Sequence, residues 1–111
     1  MQIKLAGEKH TIILKICGEL DHHIASDIAA RCDEALIKSN AINIIFDFSE
    51  LSFMDSSGIG TIMGRYKKIN GFGGNVVIAA PTSQVMRLIT ISGLKRIIKV
   101  TTSVENALKL I

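Results

Sequence analysis

The chain has 111 residues, of which 48% are hydrophobic and 5% aromatic, and its formal net charge at pH 7 is +3. This length predicts a single domain over residues 1–111, large enough to bury a core without disulfides or metals. The N-terminus carries no signal-peptide pattern and no apolar run reaches the roughly 18 residues of a membrane span, so we expect a cytoplasmic protein.

The first part of the chain predicts a hairpin, a helix and a buried strand. Two apolar runs that alternate at period two flank the segment GEKH and indicate a β-hairpin over about residues 2–17. Asp21 is placed to cap a helix over about 22–38, and the run INIIFDF predicts a strand over 42–48 that is buried on both faces. The residues expected on the buried face of this helix are Ile24, Ile28, Cys32, Ala35 and Leu36.

The second part of the chain alternates helices and strands. Its predicted elements are a polar loop over 49–55, a helix over 57–69, a strand over 76–80, a helix over 82–91, a strand over 96–100 and a closing helix capped by Ser103. Thr82 or Ser83 is expected to cap the third helix, and Gly93 to end it. The resulting order, β-β-α-β-α-β-α-β-α, predicts an α/β fold. We expect a mixed, mostly parallel sheet of about five strands, with four helices packed on it and an antiparallel hairpin strand at one edge.

The cysteines and the basic residues indicate no site. Cys17 and Cys32 lie in apolar segments and lack the spacing of metal ligands, so we expect two free, buried thiols in a reducing compartment. The basic residues are expected on solvated faces rather than in a nucleic-acid footprint, and the chain has no tryptophan to stack on bases. Their two loose groups are Arg65, Lys67 and Lys68, and then Arg87, Lys95, Arg96 and Lys99.

Hydrolytic and metal chemistry find little support in the sequence. A serine hydrolase needs a G-x-S-x-G elbow and a histidine base, whereas the serine pair here precedes its first glycine. The histidines, His10, His22 and His23, all lie upstream of that pair. Adjacent residues on a helix point about 100° apart, which suits two ligands of one metal poorly. We therefore expect no catalysis and no bound metal.

A glycine pattern follows the strand predicted over 42–48. Gly58, Gly60 and Gly64 form G-x-G-x-x-x-G, which is close to the fingerprint of a dinucleotide site. That fingerprint opens its helix directly after the strand and expects an acid about 20 residues further on, and neither condition is met here. The lysine of a P-loop is missing as well. A nucleotide site is therefore kept only as an alternative.

The segment FMDSSGIGTIMG opens the second predicted helix. Asp55 and Ser56 are both candidates for its N-cap, which would leave the Ser57 hydroxyl free in the first turn. A phosphate on that serine would meet free backbone N–H groups and the positive end of the helix dipole. Gly58 and Gly60 either leave the turn bare for another protein's backbone or let the helix pack closely. The sequence leaves both roles open.

Three segments, GELDHH, LSFMDSSGIG with its continuation GRYK, and the later SGL, resemble the anti-sigma factor antagonists of the STAS domain family, and among them those of sporulation. The resemblance covers essentially the whole chain and implies the STAS fold. It also implies that the unphosphorylated protein binds an anti-sigma factor, which is itself a serine kinase, and so releases a sigma factor. The kinase would phosphorylate Ser57, and a phosphatase of the PP2C class would restore the active form.

The resemblance further implies a partner-binding surface. Asp21 matches an acid that lies near the phosphoserine loop of the family. The other residues implied for this surface are Ser56, Ser57, Gly58, Ile59 and Gly60. We expect a monomer when the protein is free, no cofactor, and no binding to nucleic acid or membrane. Two alternatives remain: a STAS regulator of a stress-response sigma pathway, and a nucleotide-binding or hydrolysing protein that acts through its glycine turn.

Overall fold

The computed structural model describes the backbone of residues 2–6 and all of residues 10–111. The strands are β1 (Gln2–Ala6), β2 (Thr11–Lys15), β3 (Gly18–Leu20), β4 (Asn43–Asp47), β5 (Leu51–Met54), β6 (Val76–Ala79) and β7 (Lys99–Thr101). The helices are α1 (Ala25–Ser39), α2 (Ser56–Gly71), α3 (Ser83–Ser92) and α4 (Val104–Lys109), with a 3₁₀ turn at Leu94–Arg96. Within these residues no helix combines the length and the apolar character needed to cross a membrane.

The main sheet has five strands in the order β1-β2-β4-β6-β7. β1 pairs antiparallel with β2 at one edge, which confirms the predicted hairpin, although residues 7–9 of its turn lie outside the described residues. The other strands are parallel, and Ile44 of β4 lies between Ile12 of β2 and Val76 of β6. The predicted mixed, mostly parallel sheet with four helices is thereby confirmed.

Side chains of the parallel strands alternate between two apolar layers. Ile44 and Phe46 pack with residues of α1, α2 and α3, whereas Ile45 and Val77 pack with Ala107 of α4 on the opposite face. Each of these side chains is at most 2% exposed. Because complete burial of one large apolar side chain is worth about 1.5–3 kcal/mol, these doubly buried strands anchor the fold. Their carboxyl ends meet at one edge of the sheet, where the helices begin.

β3 and β5 form a second, two-stranded parallel sheet that the sequence did not predict. The loop predicted over 49–55 is therefore wrong over Leu51–Met54. Leu20 pairs with Met54 across this small sheet, and both side chains are buried. Strands of three and four residues are too short to show a period-two pattern, so the sequence gives no signal for them.

α1 begins at Ala25, three residues later than predicted, and Asp21 is not its N-cap. The Asp21 carboxylate accepts the His23 N–H at 2.9 Å, and the Asp21 carbonyl accepts the N–H groups of Ile24 and Ala25. These bonds make a separate turn before the helix. Ile24 lies in that turn, 36% exposed, so its predicted place on the buried face is wrong. Of the other predicted face residues, Ala35 is partly buried against the core and the rest are buried.

The remaining helix ends follow the predicted caps. The side chains of Asp55, Thr82 and Ser103 each accept a backbone N–H from the first turn of α2, α3 and α4 respectively. Gly93 ends α3 with a φ of 81°, a left-handed conformation that glycine adopts without a steric penalty. The N-cap residues of three of the four helices could therefore be predicted from the sequence.

The last strand is displaced from its predicted position over 96–100. The chain first makes the 3₁₀ turn at Leu94–Arg96 and only then enters β7 at Lys99. Leu94 and Ile98 are both 2% exposed and pack into the larger apolar layer. Burial of these two side chains across a turn explains why an apolar run here is not a continuous strand.

Two side chains lie in environments that the sequence did not indicate. Arg65 was expected on a solvated face, but its side chain is only 10% exposed, and its Nε lies 3.0 Å from Oδ1 of Asp33 between α2 and α1. Cys17 was expected to be buried and is exposed, whereas Cys32 is buried as predicted; both thiols are free. Neither difference changes the course of the chain.

Candidate functional site

Two segments that are distant in sequence meet at the carboxyl edge of the sheets. β3 leads into residues 21–24 and β5 leads into α2, and because the two strands are parallel neighbours both segments leave in the same direction. The Asp55 N–H donates to the Leu20 carbonyl at 3.3 Å, and the His22 N–H donates to Oδ2 of Asp55 at 3.2 Å. We refer to residues 21–24 and 53–60 together as the site surface.

The Asp55 carboxylate holds the two parts of the site surface together. Its Oδ1 accepts the Ser57 N–H at 2.8 Å as the N-cap of α2, while Oδ2 accepts the His22 N–H. Desolvation alone would raise the pKa of Asp55, but hydrogen bonds from the backbone N–H groups of Ser57, His22 and Gly58 outweigh it and lower the pKa below its usual value. The carboxylate is therefore ionised at neutral pH.

The two serines of the D-S-S-G segment begin α2. Ser56 is exposed and Ser57 is half-buried, and within the part of the chain that the structure describes neither hydroxyl has a hydrogen-bond partner. One turn later, the Thr61 hydroxyl donates to the Ser57 carbonyl at 3.1 Å and also lies 3.4 Å from the Ala25 carbonyl of α1. The backbone around Ser57 is thus held by hydrogen bonds, while its hydroxyl has no partner among the described residues.

The two glycines that follow have different roles. Gly58 is buried, and a β-carbon there would lie 2.3 Å from Cγ of Met54 and 3.0 Å from Cγ of Leu20. This glycine therefore allows α2 to pack closely on β3 and β5, the packing role that the sequence left open. Gly60 is exposed, and apart from the neighbouring residues and backbone of its own helix, a β-carbon built on it would have no atom within 4 Å. Of these two glycines, Gly60 is the one that leaves the helix surface bare.

Asp21 and the two histidines form the other half of the site surface. Nδ1 of His22 lies 3.6 Å from Oδ2 of Asp55, and Nδ1 of His23 lies 3.5 Å from Oδ1 of Asp21. The imidazole rings lie in contact, with their centroids 4.0 Å apart and their planes tilted by 35°. The sequence suggested metal ligands or, preferably, polar residues in the first turn of a helix capped by Asp21, and neither interpretation included the contact of His22 with Asp55. Among the described residues, no three potential ligand side chains cluster around one metal position.

Apolar side chains flank the polar centre of the site surface. Ile24 is 36% exposed and Phe53 is 38% exposed, and Ile59 is half-buried against the core. Large apolar side chains beside polar groups are typical of protein docking surfaces. The exposure of the first two could not be predicted, because Ile24 fits the helical period of a core residue and Phe53 lies in a strand too short to predict.

The comparison with protein-family models matches residues 2–107 to the STAS domain, so the chain belongs to the STAS domain family. A relative named anti-sigma F factor antagonist, from Paenibacillus polymyxa, is 37% identical over 108 residues, which are 97% of this chain and 92% of the relative. The anti-sigma-B factor antagonist of Listeria monocytogenes is more distant, with 27% identity over 100 residues, 90% of this chain and 86% of the relative.

Solved structures give the same result. The anti-sigma factor antagonist SpoIIAA in its unphosphorylated form is 31% identical, with a TM-score of 0.83 over 96% of this chain and 91% of that one. The Bacillus cell fate determinant SpoIIAA in its phosphorylated form is 30% identical, with a TM-score of 0.75 over 97% of this chain and 96% of that one. The fold predicted from the resemblance is therefore confirmed.

Proposed function

We propose that the protein is an anti-sigma factor antagonist whose unphosphorylated form binds an anti-sigma factor through the site surface, and that phosphorylation of Ser57 prevents this binding. The observation that carries the proposal is the free Ser57 hydroxyl in the first turn of α2, fixed beside residues 21–24 by Asp55. Relatives named anti-sigma F factor antagonists, and the phosphorylated form of SpoIIAA, support it. The protein acts by binding and catalyses no reaction itself.

The partner is expected to contact the exposed part of this surface. The proposed contact residues are Asp21, Ser56, Ser57, Ile59 and Gly60, with Gly58 supporting them from beneath. Ile24 and Phe53, which the structure adds, would supply apolar contacts at the rim. Gly60 would let the backbone of the partner approach α2 closely, since no side chain covers the helix there.

Phosphorylation changes the charge of this surface without breaking the fold. A phosphate on Ser57 adds about −1.5 to −2 charges at pH 7. The positive end of the α2 dipole offsets part of this charge, although the N–H groups of Ser57, Gly58 and Ile59 already donate to Asp55 and are not free as the sequence had suggested. The Asp55 and Asp21 carboxylates lie on the same surface, so the phosphorylated surface becomes strongly anionic. A partner whose surface is complementary to the neutral serine would then be opposed by both the volume and the negative charge of the phosphate.

Only a modest change in binding free energy is needed for phosphorylation to prevent binding. A hundredfold rise in the dissociation constant corresponds to about 2.7 kcal/mol. Leaving a charge desolvated and unpaired in an interface costs about that much or more. A local charge at Ser57 is therefore sufficient, and no rearrangement of the antagonist is needed.

The wider pathway follows from the same proposal. The anti-sigma factor is also the serine kinase that phosphorylates Ser57 with ATP, and a phosphatase of the PP2C class restores binding. The relative named anti-sigma F factor antagonist is 37% identical to this chain, and the one named anti-sigma-B factor antagonist is 27% identical. This difference favours regulation of sporulation over a stress response. We place the protein in the cytoplasm, as one STAS domain over residues 1–111 that is a monomer when free.

The proposal is tested by incubating the protein with a purified anti-sigma F kinase and ATP, followed by mass spectrometry of its peptides. Wild type and Ser56→Ala should each gain one phosphoryl group, on Ser57, and should lose binding to the kinase. Ser57→Ala should gain none and stay bound in ATP, and Ser57→Asp should bind weakly. Treatment with the phosphatase should restore binding of the phosphorylated protein.

Two outcomes would contradict this proposal. Phosphorylation of Ser57→Ala at the wild-type rate would mean that the modified residue is misassigned. Tight binding in ATP without any modification would mean that the protein is a fixed adaptor rather than a switch. Parallel binding assays with the kinases of the sigma F and sigma B pathways separate the sporulation role from the stress-response alternative. A nucleotide titration of the protein alone tests the nucleotide-binding alternative.

A further inference from the structure

A crevice at the carboxyl ends of β6 and β7 follows from how the helices are distributed. α3, like α1 and α2, covers one face of the main sheet, whereas α4 covers the opposite face through Ala107. The chain therefore leaves β6 toward one face and leaves β7 toward the other. In open α/β sheets, the space between two connections that diverge in this way is where ligands bind.

A cavity of ≈ 460 Å³ occupies this crevice. Small-molecule sites in proteins enclose about 300–1,000 Å³, so the cavity is large enough for an organic ligand. Its walls are mainly apolar. The apolar lining residues are Ala80, Pro81, Met86 and Val100.

Two polar side chains of the lining are able to bind an anion. Lys95 lines the cavity and is exposed, and no acidic side chain forms an ion pair with it among the described residues. The Thr102 hydroxyl accepts the amide N–H of Asn106 at 3.0 Å, so its own proton remains available for donation to a ligand. One ammonium and one hydroxyl are suited to a carboxylate head group.

The two loops that form the crevice are held in a fixed arrangement. The Ala80 N–H donates to the Thr101 carbonyl at 2.9 Å, which ties the start of the loop after β6 to the last residue of β7. Ala80 has a φ of 54°, in the left-handed region that alanine rarely adopts. The Thr101 hydroxyl, which also lines the cavity, is engaged with the Ser103 carbonyl at 2.9 Å. The cavity is thus preformed, and backbone strain of this kind is concentrated at ligand sites.

We propose that this crevice binds a small organic carboxylate with an apolar body. The carboxylate would pair with Lys95 and Thr102, and the apolar part would lie between Met86 and Val100. The lining has no aromatic ring on which a base could stack and only one cation, so it suits a singly charged acid better than a nucleotide. This site is separate from the site surface and does not depend on the proposed switch.

The proposal is tested by titrating the full chain with octanoate and recording ¹H–¹⁵N NMR spectra. Octanoate should cause saturable shifts in the amides of Ala80, Thr101 and Thr102. Lys95→Gln should weaken binding by about tenfold to a hundredfold, the range expected for loss of one charge-assisted hydrogen bond. Lys67→Gln, which removes an exposed lysine of α2, is the matched control and should bind octanoate as the wild type does. Octanol, which has no carboxylate, should bind about tenfold more weakly than octanoate.

Several results would overturn this inference. These are the absence of saturable shifts at millimolar octanoate, equal binding by wild type and Lys95→Gln, and equal binding of octanol and octanoate. Shifts confined to the exposed apolar residues Ile37 and Phe72, at the other end of the sheet, would show non-specific adsorption and would also count against it. Because Lys95 is exposed, Lys95→Gln is expected to fold normally, which its reference spectrum verifies.

Discussion

Asp55 holds His22 across 33 residues of sequence: its Oδ2 accepts the His22 N–H at 3.2 Å and lies 3.6 Å from Nδ1 of the same residue. The other oxygen of the same carboxylate caps α2 at Ser57. One side chain therefore sets the position of residues 21–24 relative to the serine proposed as the phosphorylation site. A loss of the Asp55 charge would therefore weaken its contacts with His22 and with Ser57 together.

We expect part of the acid sensitivity of the fold to come from Asp55. Its hydrogen bonds lower the pKa in the folded protein below the usual value of about 3.9. A carboxyl with a lowered folded pKa contributes stability that is complete above the unfolded pKa and is lost as the pH falls through the folded pKa. Asp55→Asn, which can still cap the helix but carries no charge, should therefore lose less stability than wild type between about pH 7 and about pH 3.

Urea unfolding at the two pH values measures this difference. Asp27→Asn, at an exposed position in the first turn of α1, controls for the removal of one negative charge. If Asp55→Asn kept the full pH dependence of the wild type, the hydrogen bonds around Asp55 would contribute nothing to it. Amide exchange at His22 and Ser57 should also become faster in the variant, because both N–H groups lose a charged acceptor.

Alanine should have opposite effects at the two glycines that begin α2. Gly58→Ala places a methyl group against Met54 and Leu20 and should lower the free energy of unfolding by about 1–3 kcal/mol. Gly60→Ala adds the better helix former where space is open and should raise the free energy of unfolding by about 1 kcal/mol. Urea denaturation of both variants measures this. Equal stability of the two would show that Met54 moves aside at little cost.

The same pair of variants bears on the partner-binding surface. Gly60→Ala should stay folded, yet weaken binding to the anti-sigma factor, because its methyl group would occupy the bare face of α2. A stable Gly60→Ala that binds as tightly as wild type would remove Gly60 from the surface.

Arg65 and Lys68 share Asp33 but should differ in their contribution to stability. The Arg65 side chain is 10% exposed and lies 3.0 Å from one Asp33 oxygen, whereas Lys68 is 52% exposed and lies 2.7 Å from the other. Removing one partner of a buried pair costs about 3–5 kcal/mol, and the remaining Lys68 contact reduces this, so Arg65→Met should cost about 2–3 kcal/mol. Lys68→Met should cost under about 1 kcal/mol, as surface pairs do. Thermal unfolding ranks the two variants, and the reverse order would contradict this assignment.

The two cysteines should react at very different rates. Burial raises the pKa of the Cys32 thiol to about 12, so at pH 8 almost none of it is thiolate, and it is also shielded from reagents. Cys17 is exposed. A thiol-specific reagent should therefore modify one cysteine per native chain and two in denaturant. Rapid modification of both in the native protein would show that α1 opens readily from the sheet; Cys17→Ser identifies which thiol remains.

Long, strongly patterned segments of this fold could be predicted from sequence, and short ones could not. The near-continuous apolar run over 42–48 and the run over 76–80 indicated buried parallel strands, because a strand covered on both faces has few polar side chains. β3 and β5 show no such pattern. Gly18 of β3 pairs with Leu51 of β5, which is 33 positions further on in the sequence, and the register shifts at a bulge between Gly18 and Glu19. Tertiary pairing of this kind has no local signature.

The candidate site was predicted in its chemistry but not in its geometry. Asp55, Ser56 and Ser57 were recognised as residues of a helix start, and the structure places them there. The assignment of Asp21 as an N-cap is wrong because its carboxylate closes the preceding turn. The link from His22 to Asp55 could not be seen in the sequence, because it requires β3 and β5 to lie side by side.

The pairing of β3 with β5 means that the site surface exists only in a folded molecule. Residues 21–24 and the Ser57 segment are separated in sequence by α1 and β4, and the parallel pairing of β3 with β5 brings them together. A kinase that requires both segments would ignore nascent chains, misfolded copies and proteolytic fragments, although each of these can contain the two serines. The amount of phosphorylated protein would therefore reflect the concentration of correctly folded protein and not of total protein. Damaged copies would not be phosphorylated and would not contribute to it.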